Sequence, residues 1–321
     1  MKIVRKKSFH FDFVVLTLSY NQPRFCLNTT WNSNAKTFAN RSFVSAYPYG
    51  IFVNSNNSIY IPNRQTNQIH IWQNENDLNP TKTISGNLSR PFSLFVTTNG
   101  NIYVDKWIRE NETWISVMNV TAYCSGLFVD IDENLYCSMH NNHRVDKNWS
   151  TIAGTGVLGS GSNMFQNPWG IFVDINLDLY VADWGNHRIQ LFQLNQQNGL
   201  TVAGKGSAKV TIELNQPSGI VLDGDRHLFI VDSGNHRIIG SDENGFRCIF
   251  GCSGEEGSTN DKLSYPITMS FDSYGNIYVT DRDNNRVQKI LKNQVCSKFC
   301  FSFDLKSKLF SSKFHPQVNQ Q

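Results

Sequence analysis

The chain has 321 residues, enough for one large all-β domain or two ordinary ones, and only 17% of them are charged. The formal net charge is +3, but residues 1–24 and 298–321 contribute +4 and +3, so residues 25–297 carry −4. A mildly acidic body argues against a nucleic-acid surface, which needs clustered Lys and Arg to neutralise phosphates. No run of about 18 apolar residues occurs, which excludes a membrane-spanning helix.

The N-terminal segment, residues 1–24, has the outline of a secretory signal. A basic start from Lys2 to Lys7 precedes a short apolar run from Phe9 to Leu18. Asp12 interrupts that run, and no clean cleavage site follows. Two interpretations therefore stay open, a signal-like segment and a disordered basic N-terminus. Residues 301–321 are predicted to form a disordered C-terminal tail.

Residues 25–300 hold six imperfect copies of one β-rich unit. Two β-branched and aromatic runs in each copy are joined by a tight polar turn, and a third run follows. A fourth run, such as Thr201–Gly204, precedes the next copy. Four antiparallel strands with a period of about 40–50 residues are typical of a propeller blade. The copies open at Gly50, Ser93, Gly126, Gly170, Gly219 and Thr268.

The last copy lacks a fourth run after Leu291, although a ring needs one to close. Residues 36–40 match the fourth run, so we predict that they pair with residues 285–291. The predicted fold is all-β: a six-bladed β-propeller with four antiparallel strands per blade, its ring closed by an N-terminal strand. A single blade cannot bury both of its faces, whereas six blades in a ring can.

The repeated pattern Gly-x-x-x-Asp, Leu-Tyr-Val-x-Asp and Asn-x-Arg-Ile/Val resembles the NHL repeat. The copies from Gly170, Gly219 and Thr268 carry this pattern with identical internal offsets, and the three upstream copies are degenerate. The resemblance implies a six-bladed propeller, in agreement with the number of copies in the sequence.

The cysteines and the glycosylation sequons favour a secreted, extracellular glycoprotein. Cys248 and Cys252 are close enough in sequence for a small loop disulfide. Cys26 lies before the repeats, and Cys296 and Cys300 lie after them, so a disulfide there would clasp the ring. The alternative is a cytoplasmic protein with free thiols and unused sequons. The sequons are at Asn28, Asn40, Asn56, Asn87, Asn111, Asn119 and Asn148.

Two repeated sets of residues first suggest chemistry. His143, His187 and His236 occupy one position in consecutive copies, and three histidines can hold zinc. That position is Asn285 in the last copy, so we favour a hairpin residue over a metal ligand. The second set is predicted to pair across the hairpins: Asp183 with Arg188, Asp232 with Arg237, and Asp281 with Arg286.

Other motifs are weaker still. Residues 130–134 and 223–225 are acidic turns, but the twelve-residue calcium loop with its terminal Glu is missing. Residues 154–161 are glycine-rich, yet a strand follows them and no helix N-terminus could receive a phosphate. We therefore predict no catalytic residue, no cofactor and no metal.

We predict a non-catalytic binding or interaction scaffold that recognises a protein, peptide or other ligand through the loops of one face. Two alternatives stay open. One is a substrate- or RNA-recognition propeller related to those of tripartite-motif ubiquitin ligases, which the acidic body disfavours. The other is an enzyme similar to the zinc-dependent peptidyl-hydroxyglycine lyase, which would require three histidines that converge on the channel.

Overall fold

The computed structural model describes residues 18–26, 28–86, 88, 90–104, 106–108, 113–115, 124–148, 150–208 and 211–293. For residues 106–108 and 113–115 it describes the backbone alone. Residues 1–17 and the predicted tail 301–321 lie outside the described residues. Within those limits, no helix has the length and apolar composition needed to cross a bilayer.

The N-terminal elements and the first three sheets follow one another along the chain. β1 (Lys36–Ala39) and the short helix α1 (Arg41–Val44) precede the first sheet. The first sheet comprises β2 (Phe52–Val53), β3 (Ile59–Asn63), β4 (Gln68–Trp72) and β5 (Lys82–Ser85). The second comprises β6 (Phe95–Val96), β7 (Ile102–Tyr103), β8 (Lys106–Ile108) and β9 (Thr113–Ile115). The third comprises β10 (Cys124–Val129), β11 (Leu135–Met139), β12 (Arg144–Lys147) and β13 (Ser150–Ala153).

The last three sheets coincide with the regular copies of the repeat. The fourth comprises β14 (Pro168–Val173), β15 (Leu179–Asp183), β16 (Arg188–Phe192) and β17 (Leu200–Gly204). The fifth comprises β18 (Pro217–Leu222), β19 (Leu228–Asp232), β20 (Arg237–Asp242) and β21 (Gly245–Phe250). The sixth contains β22 (Pro266–Phe271), β23 (Ile277–Asp281) and β24 (Arg286–Ile290). Short 3-10 turns link the second and third strands at His140–Asn142, Trp184–Asn186 and Ser233–Asn235.

The described strands form six four-stranded antiparallel sheets. Five sheets run in simple chain order, and the sixth has the order β1-β24-β23-β22. β1 is antiparallel to β24, with Lys36 opposite Lys289 and Ala39 opposite Val287. The predicted all-β propeller with four antiparallel strands per blade is therefore confirmed.

Each sheet has an upper and a lower edge. At the upper edge the first strand begins and the second ends, as where Pro168 lies opposite Asp183. The lower edge carries the turn between these strands, where the side chain of Asp174 accepts the backbone N–H groups of Asn176 and Asp178. Asp130, Asp223 and Asp272 make the same contacts, so this Asp position closes the turn in four of the sheets. We call the corresponding sides of the molecule the upper face and the lower face.

Close packing of the innermost strands explains why the copies open on small residues. A Cβ atom on Gly126 would lie 2.5 Å from the carbonyl oxygen of Trp169 in the next sheet. The same atom on Gly219 would lie 2.8 Å from the carbonyl oxygen of Ile267. The second strands β15, β19 and β23 are buried along their whole length, because neighbouring sheets cover both of their faces.

Disulfides occur both where the sequence suggested one and elsewhere. Cys248 is bonded to Cys252, and Cys124 is bonded to Cys137, which links β10 to β11. The spacing of Cys124 and Cys137 in the sequence did not indicate this pairing. Cys26 is also disulfide-bonded. Cys296 and Cys300 lie outside the described residues, so the predicted clasp stays a prediction.

Candidate functional site

A cavity of about 90 Å³ occupies the central channel, where the first strands of all six sheets meet. Its middle layer consists of the small residues that open the copies, including Gly50, Gly170 and Gly219. One layer deeper, the channel narrows at a ring of larger side chains. Four of them are aromatic: Phe52, Phe95, Phe128 and Phe172.

Tyr20 closes the lower end of this channel. Its ring packs edge-on against Phe95, Phe128 and Phe172, with centroid separations of 6.0, 5.3 and 5.4 Å. In the fifth and sixth sheets the corresponding channel residues are the smaller Val221 and Ser270. Burial, and then the carboxylates of Asp174 and Asp130, raise the pKa of the Tyr20 hydroxyl, so this group is neutral in the channel.

The residues around Tyr20 run across the lower face as a strap, defined here as residues 19–24. The side-chain amide of Asn21 donates to the carbonyl oxygens of Asn54 and Phe271, in the first and last sheets. The carbonyl oxygen of Pro23 accepts the N–H of Gly224 at 3.0 Å. Residues 19–24 thus contact the sheets although they precede the predicted boundary at residue 25, and that boundary stays a prediction. The sequence suggested a signal or a disordered tail in this segment because its basic and apolar composition is local. Composition does not show that Tyr20 packs into a channel formed by residues far away along the chain.

The upper face carries a repeated dipeptide at the channel mouth. Before each described first strand except that of the third sheet, a residue with positive φ precedes a proline. The residue after the proline borders the mouth, and in three sheets it is aromatic: Tyr49, Phe92 and Trp169. Tyr49 and Trp169 line the cavity directly. Their rings lie nearly parallel, at 20° and 6.0 Å between centroids.

Two guanidinium groups flank Tyr49. The Arg64 guanidinium lies 3.7 Å from the Phe92 ring centroid and 4.7 Å from that of Tyr49. The Arg282 guanidinium lies 5.6 Å from the Tyr49 centroid and 5.0 Å from that of Tyr265. Both arginines open the connection from the second to the third strand of their sheets, which places them on the upper face. The mouth therefore combines aromatic faces with positive charge.

His140 and Trp184 extend the same surface. The His140 ring packs edge-on against Trp169 at 4.8 Å and lies 6.0 Å from Trp184. Burial lowers the pKa of His140, which favours the neutral imidazole. Across the mouth, the Tyr265 hydroxyl donates to the side-chain oxygen of Gln216 at 2.5 Å. These side chains form one half-buried polar and aromatic surface around the opening.

The three predicted histidines do not come together. Nδ1 of His187 accepts the backbone N–H of Gln216 in the next sheet at 3.1 Å. His143 and His236 make the same contact with Asn167 and Tyr265. Each histidine thus serves a different junction between sheets. In the described part of the chain, no three His, Cys, Asp or Glu side chains are grouped to hold a metal ion.

The predicted carboxylate–arginine pairs are confirmed. Asp183 accepts from Arg188 at 2.8 Å, and the other two pairs, Asp232–Arg237 and Asp281–Arg286, match at 2.9 and 2.7 Å. The second oxygen of Asp183 accepts the backbone N–H of Gln166, and Arg188 also donates to the carbonyl oxygen of Gly161. The pairs fix the loops between sheets, so their charges are used within the fold.

The sequons differ in their surroundings. Asn28, Asn40, Asn56 and Asn148 are exposed, whereas Asn87, Asn111 and Asn119 lie outside the residues whose side chains are described. The amide of Asn148 is part of the fold, because it donates to Asn134 and accepts the N–H of Leu135. All seven sequons stay predicted glycosylation sites.

The sequence held no direct indication of Tyr49, Arg64 or Arg282 as residues of the mouth. The indirect signal of the aromatic ones was the residue–Pro–aromatic sequence before the opening residue, as in Tyr47-Pro48-Tyr49 and Asn167-Pro168-Trp169. The presence of a tryptophan did not distinguish mouth residues from core residues, since Trp72 is 1% exposed and belongs to the core.

Comparison with protein families finds the NHL repeat at residues 165–192, 214–240 and 263–290. The chain therefore contains three NHL repeats. The matched segments begin just before the fourth, fifth and sixth sheets and end in their third strands. A search of curated proteins gives no match.

Solved structures similar to this chain share its fold. A Bacteroides thetaiotaomicron protein of unknown function has a TM-score of 0.62 and 14% identity, covering 81% of this chain and 76% of that one. An auxiliary nutrient binding protein from the same organism has a TM-score of 0.56 and 15% identity, covering 86% and 76%. A catalytically inactive histidine-to-alanine variant of virginiamycin B lyase from Staphylococcus aureus, with quinupristin, has a TM-score of 0.52 and 13% identity, covering 80% and 99%.

Proposed function

We propose that this NHL-repeat protein is a binding scaffold that holds a ligand at the upper mouth of its channel. One observation carries the proposal. Tyr20 fills the lower end of the channel, while Tyr49 and Trp169 border an opening at the upper end. A concave site with aromatic walls and a few polar groups is the usual form of a ligand pocket. The nutrient-binding neighbour gives a precedent for binding on this fold.

We also propose that the six sheets form one ring closed by β1, which would hold the mouth rigid. The pairing of β1 with β24 supports this closure. A side-chain contact supports it independently, because Asn285 of the last sheet accepts the N–H of Tyr47 ahead of the first. A rigid ring keeps residues from different sheets in fixed positions, which lowers the entropic cost of binding.

The binding proposal is tested by a small-molecule screen on the purified chain. Binding would be followed by thermal shift and by tryptophan fluorescence. Trp169→Ala should abolish binding, and Trp169→Phe should retain part of it because the stacking face remains. Tyr274→Ala, which alters a tyrosine that is 63% exposed on the lower face, is the matched control. Hits that bind equally well to Trp169→Ala would overturn the proposed site.

Catalysis at the same mouth is a second candidate. The lyase neighbour is inactive when one histidine is replaced by alanine, and here His140 lies beside Trp169 at the mouth. A neutral imidazole can accept a proton from a bound substrate. The test is to incubate the native chain and the His140→Gln variant with quinupristin and to compare the products by mass spectrometry. Unchanged quinupristin with the native chain would contradict lyase activity of that kind.

We propose an extracellular or periplasmic location. The disulfides Cys124–Cys137 and Cys248–Cys252 support an oxidising compartment, and the nutrient-binding neighbours are consistent with one. Thiol labelling of the protein isolated from its native source is the test. Full labelling of all four cysteines without prior reduction would contradict this location.

A further inference from the structure

We propose that the mouth selects a ring compound that carries a carboxylate, with the carboxylate bound by Arg282 and the ring placed against Tyr49 and Trp169. This inference rests on the proposed function and narrows it to a class of ligand. The guanidinium of Arg282 provides the charge, and the neighbouring aromatic faces provide the apolar contact.

Arg282 is held in place by aromatic rings. Its guanidinium lies within 5.0 to 5.6 Å of the ring centroids of Tyr47, Tyr49 and Tyr265. Its Nε atom is buried and has no hydrogen bond among the described residues. A guanidinium fixed over aromatic faces keeps its planar donors, and these match the two oxygens of a carboxylate.

The existing ion pair of Arg282 is weak. Asp283 lies 3.5 Å from Nε, and its side chain is 38% exposed. Solvent screens such a pair, and an exposed ion pair contributes little stability. Because Nε is buried, an incoming carboxylate would bind the other donors of the guanidinium, and shielding by Tyr49 and Tyr265 would make that contact the stronger one.

A second guanidinium group lies near the same ring. The Arg64 guanidinium lies 4.7 Å from the Tyr49 centroid, compared with 5.6 Å for Arg282. Tyr49 is therefore close to two guanidinium groups at the rim of the cavity, although residues 25–297 carry a formal charge of −4.

The size of the cavity limits what enters. A dry cavity of roughly 150 Å³ can hold benzene. The channel cavity measures about 90 Å³, so a ring does not fit below the mouth. The ring of a ligand would therefore lie on the rim, where Tyr49 and Trp169 are nearly parallel and Trp184 lies 6.5 Å from Trp169. Aromatic platforms of this kind accept flat rings of either an aromatic acid or a sugar acid.

Two matched pairs of probes test the inference. Benzoate and benzamide differ in charge on an aromatic ring, and glucuronate and glucose differ in charge on a sugar ring. Binding to the full chain would be measured by titration calorimetry. In at least one pair, the anion should bind about 10- to 100-fold more tightly than its neutral partner. The pair that shows the preference identifies the source of the ring.

Variants of Arg282 show whether this residue causes the preference. Arg282→Gln should reduce the anion-to-neutral affinity ratio to near one, and Arg282→Lys should leave an intermediate ratio because the charge remains without the planar donors. Arg24→Gln, which changes an arginine on the lower face that is 62% exposed, should leave the ratio unchanged. Unfolding midpoints would confirm that each variant is folded.

The results separate this inference from the proposed function. Equal binding of anion and neutral partner, lost in Trp169→Ala, would overturn the charge preference and leave a neutral-ligand site at the mouth. An anion preference that survives Arg282→Gln would overturn the role of Arg282. Absence of binding by all four probes would overturn the inferred ligand class.

Discussion

The side-chain oxygen of Asn285 accepts the backbone N–H of Tyr47 across 3.0 Å, which joins the last sheet to the segment leading into the first. Four other junctions between sheets have the same contact at distances of 2.9 to 3.2 Å. Every residue in these contacts has a positive φ. The pairs are Asn67–Arg90, His143–Asn167, His187–Gln216, His236–Tyr265 and Asn285–Tyr47. The repeat position that resembled a metal ligand is therefore a clamp between neighbouring sheets.

We predict that the clamp depends on an acceptor and not on a histidine as such. His187→Ala should lower the free energy of unfolding by about 1–3 kcal/mol, because the N–H of Gln216 loses its partner. His187→Asn should cost much less, since Asn already serves in two of the clamps and tolerates a positive φ. Urea unfolding measures both variants. Equal losses for the Ala and Asn variants would contradict the clamp.

The carboxylate–arginine pairs should be far more sensitive than an ordinary surface ion pair. Asp281 is fully buried, and Arg286 and Asn284 both donate to it. Asp281→Asn would leave the Arg286 charge without its partner, so we expect a loss of about 3–5 kcal/mol. Chemical denaturation is the measurement. The exposed pair Lys262–Glu255 is the control, and Glu255→Gln should change stability little.

Tyr20 should contribute to stability through its ring. Tyr20→Ala would leave a void against Phe95, Phe128 and Phe172, and we expect a cost of about 3–5 kcal/mol. Tyr20→Phe retains the ring and should cost less than half of that. The unfolding midpoints of the two variants show whether the Tyr20 ring stabilises the lower end of the channel. An Ala variant as stable as the native chain would show that the lower end of the channel does not need Tyr20.

His140 gives a pH dependence of defined sign. Burial lowers its pKa in the folded state below the ordinary 6.5, so the unfolded chain binds the proton more tightly. The stability that depends on neutral His140 is therefore present above pH 6.5 and is lost as the pH falls through the folded pKa. The slope contributed by one such group is at most about 1.4 kcal/mol per pH unit. His140→Gln should remove this contribution, and an unchanged pH profile between pH 7 and pH 5 would contradict it.

The two described disulfides should contribute different amounts to the free energy of unfolding. Cys124 and Cys137 are 13 residues apart and Cys248 and Cys252 only 4, so the first closes the longer loop. Loop entropy predicts a loss of about 3 kcal/mol for the paired Ser variant of the first and about 2 kcal/mol for the second. Urea unfolding tests this order.

The predicted disulfide that would clasp the ring is tested separately by peptide mapping without reduction. The prediction is that Cys26 is bonded to Cys296 or Cys300.

The regular part of the fold could be predicted because each copy repeats local chemistry. The turn Asp174–Asp178 lies in the hairpin of β14 and β15, and the pair Asp183–Arg188 lies in the hairpin of β15 and β16, so sequence spacing alone specifies each of them. The clamps could not be predicted in this way. His187 and Gln216 are distant along the chain and meet only because neighbouring sheets are packed side by side.

The candidate site was harder to predict for the same reason. Tyr49, Trp169 and Arg282 belong to different sheets, and only the packing of the sheets around the channel brings them to one mouth. Tyr20 was hidden in a segment with the composition of a signal. An aromatic residue in a strand-rich sequence can be core or surface, and burial separates Trp72 from Trp169 only after folding.

The most direct test of the account uses the tryptophans as position reporters. The chain has seven, of which Trp31 lies at the lower face, Trp72 in the core, and Trp169 and Trp184 at the upper mouth. In 19F NMR of protein labelled with 5-fluorotryptophan, each resonance would be assigned by a Trp→Phe variant. On titration with a ligand from the screen, we predict shifts at Trp169 and Trp184, and none at Trp31 or Trp72. Shifts at Trp31 with Trp169 and Trp184 unchanged would contradict a binding site at the upper mouth.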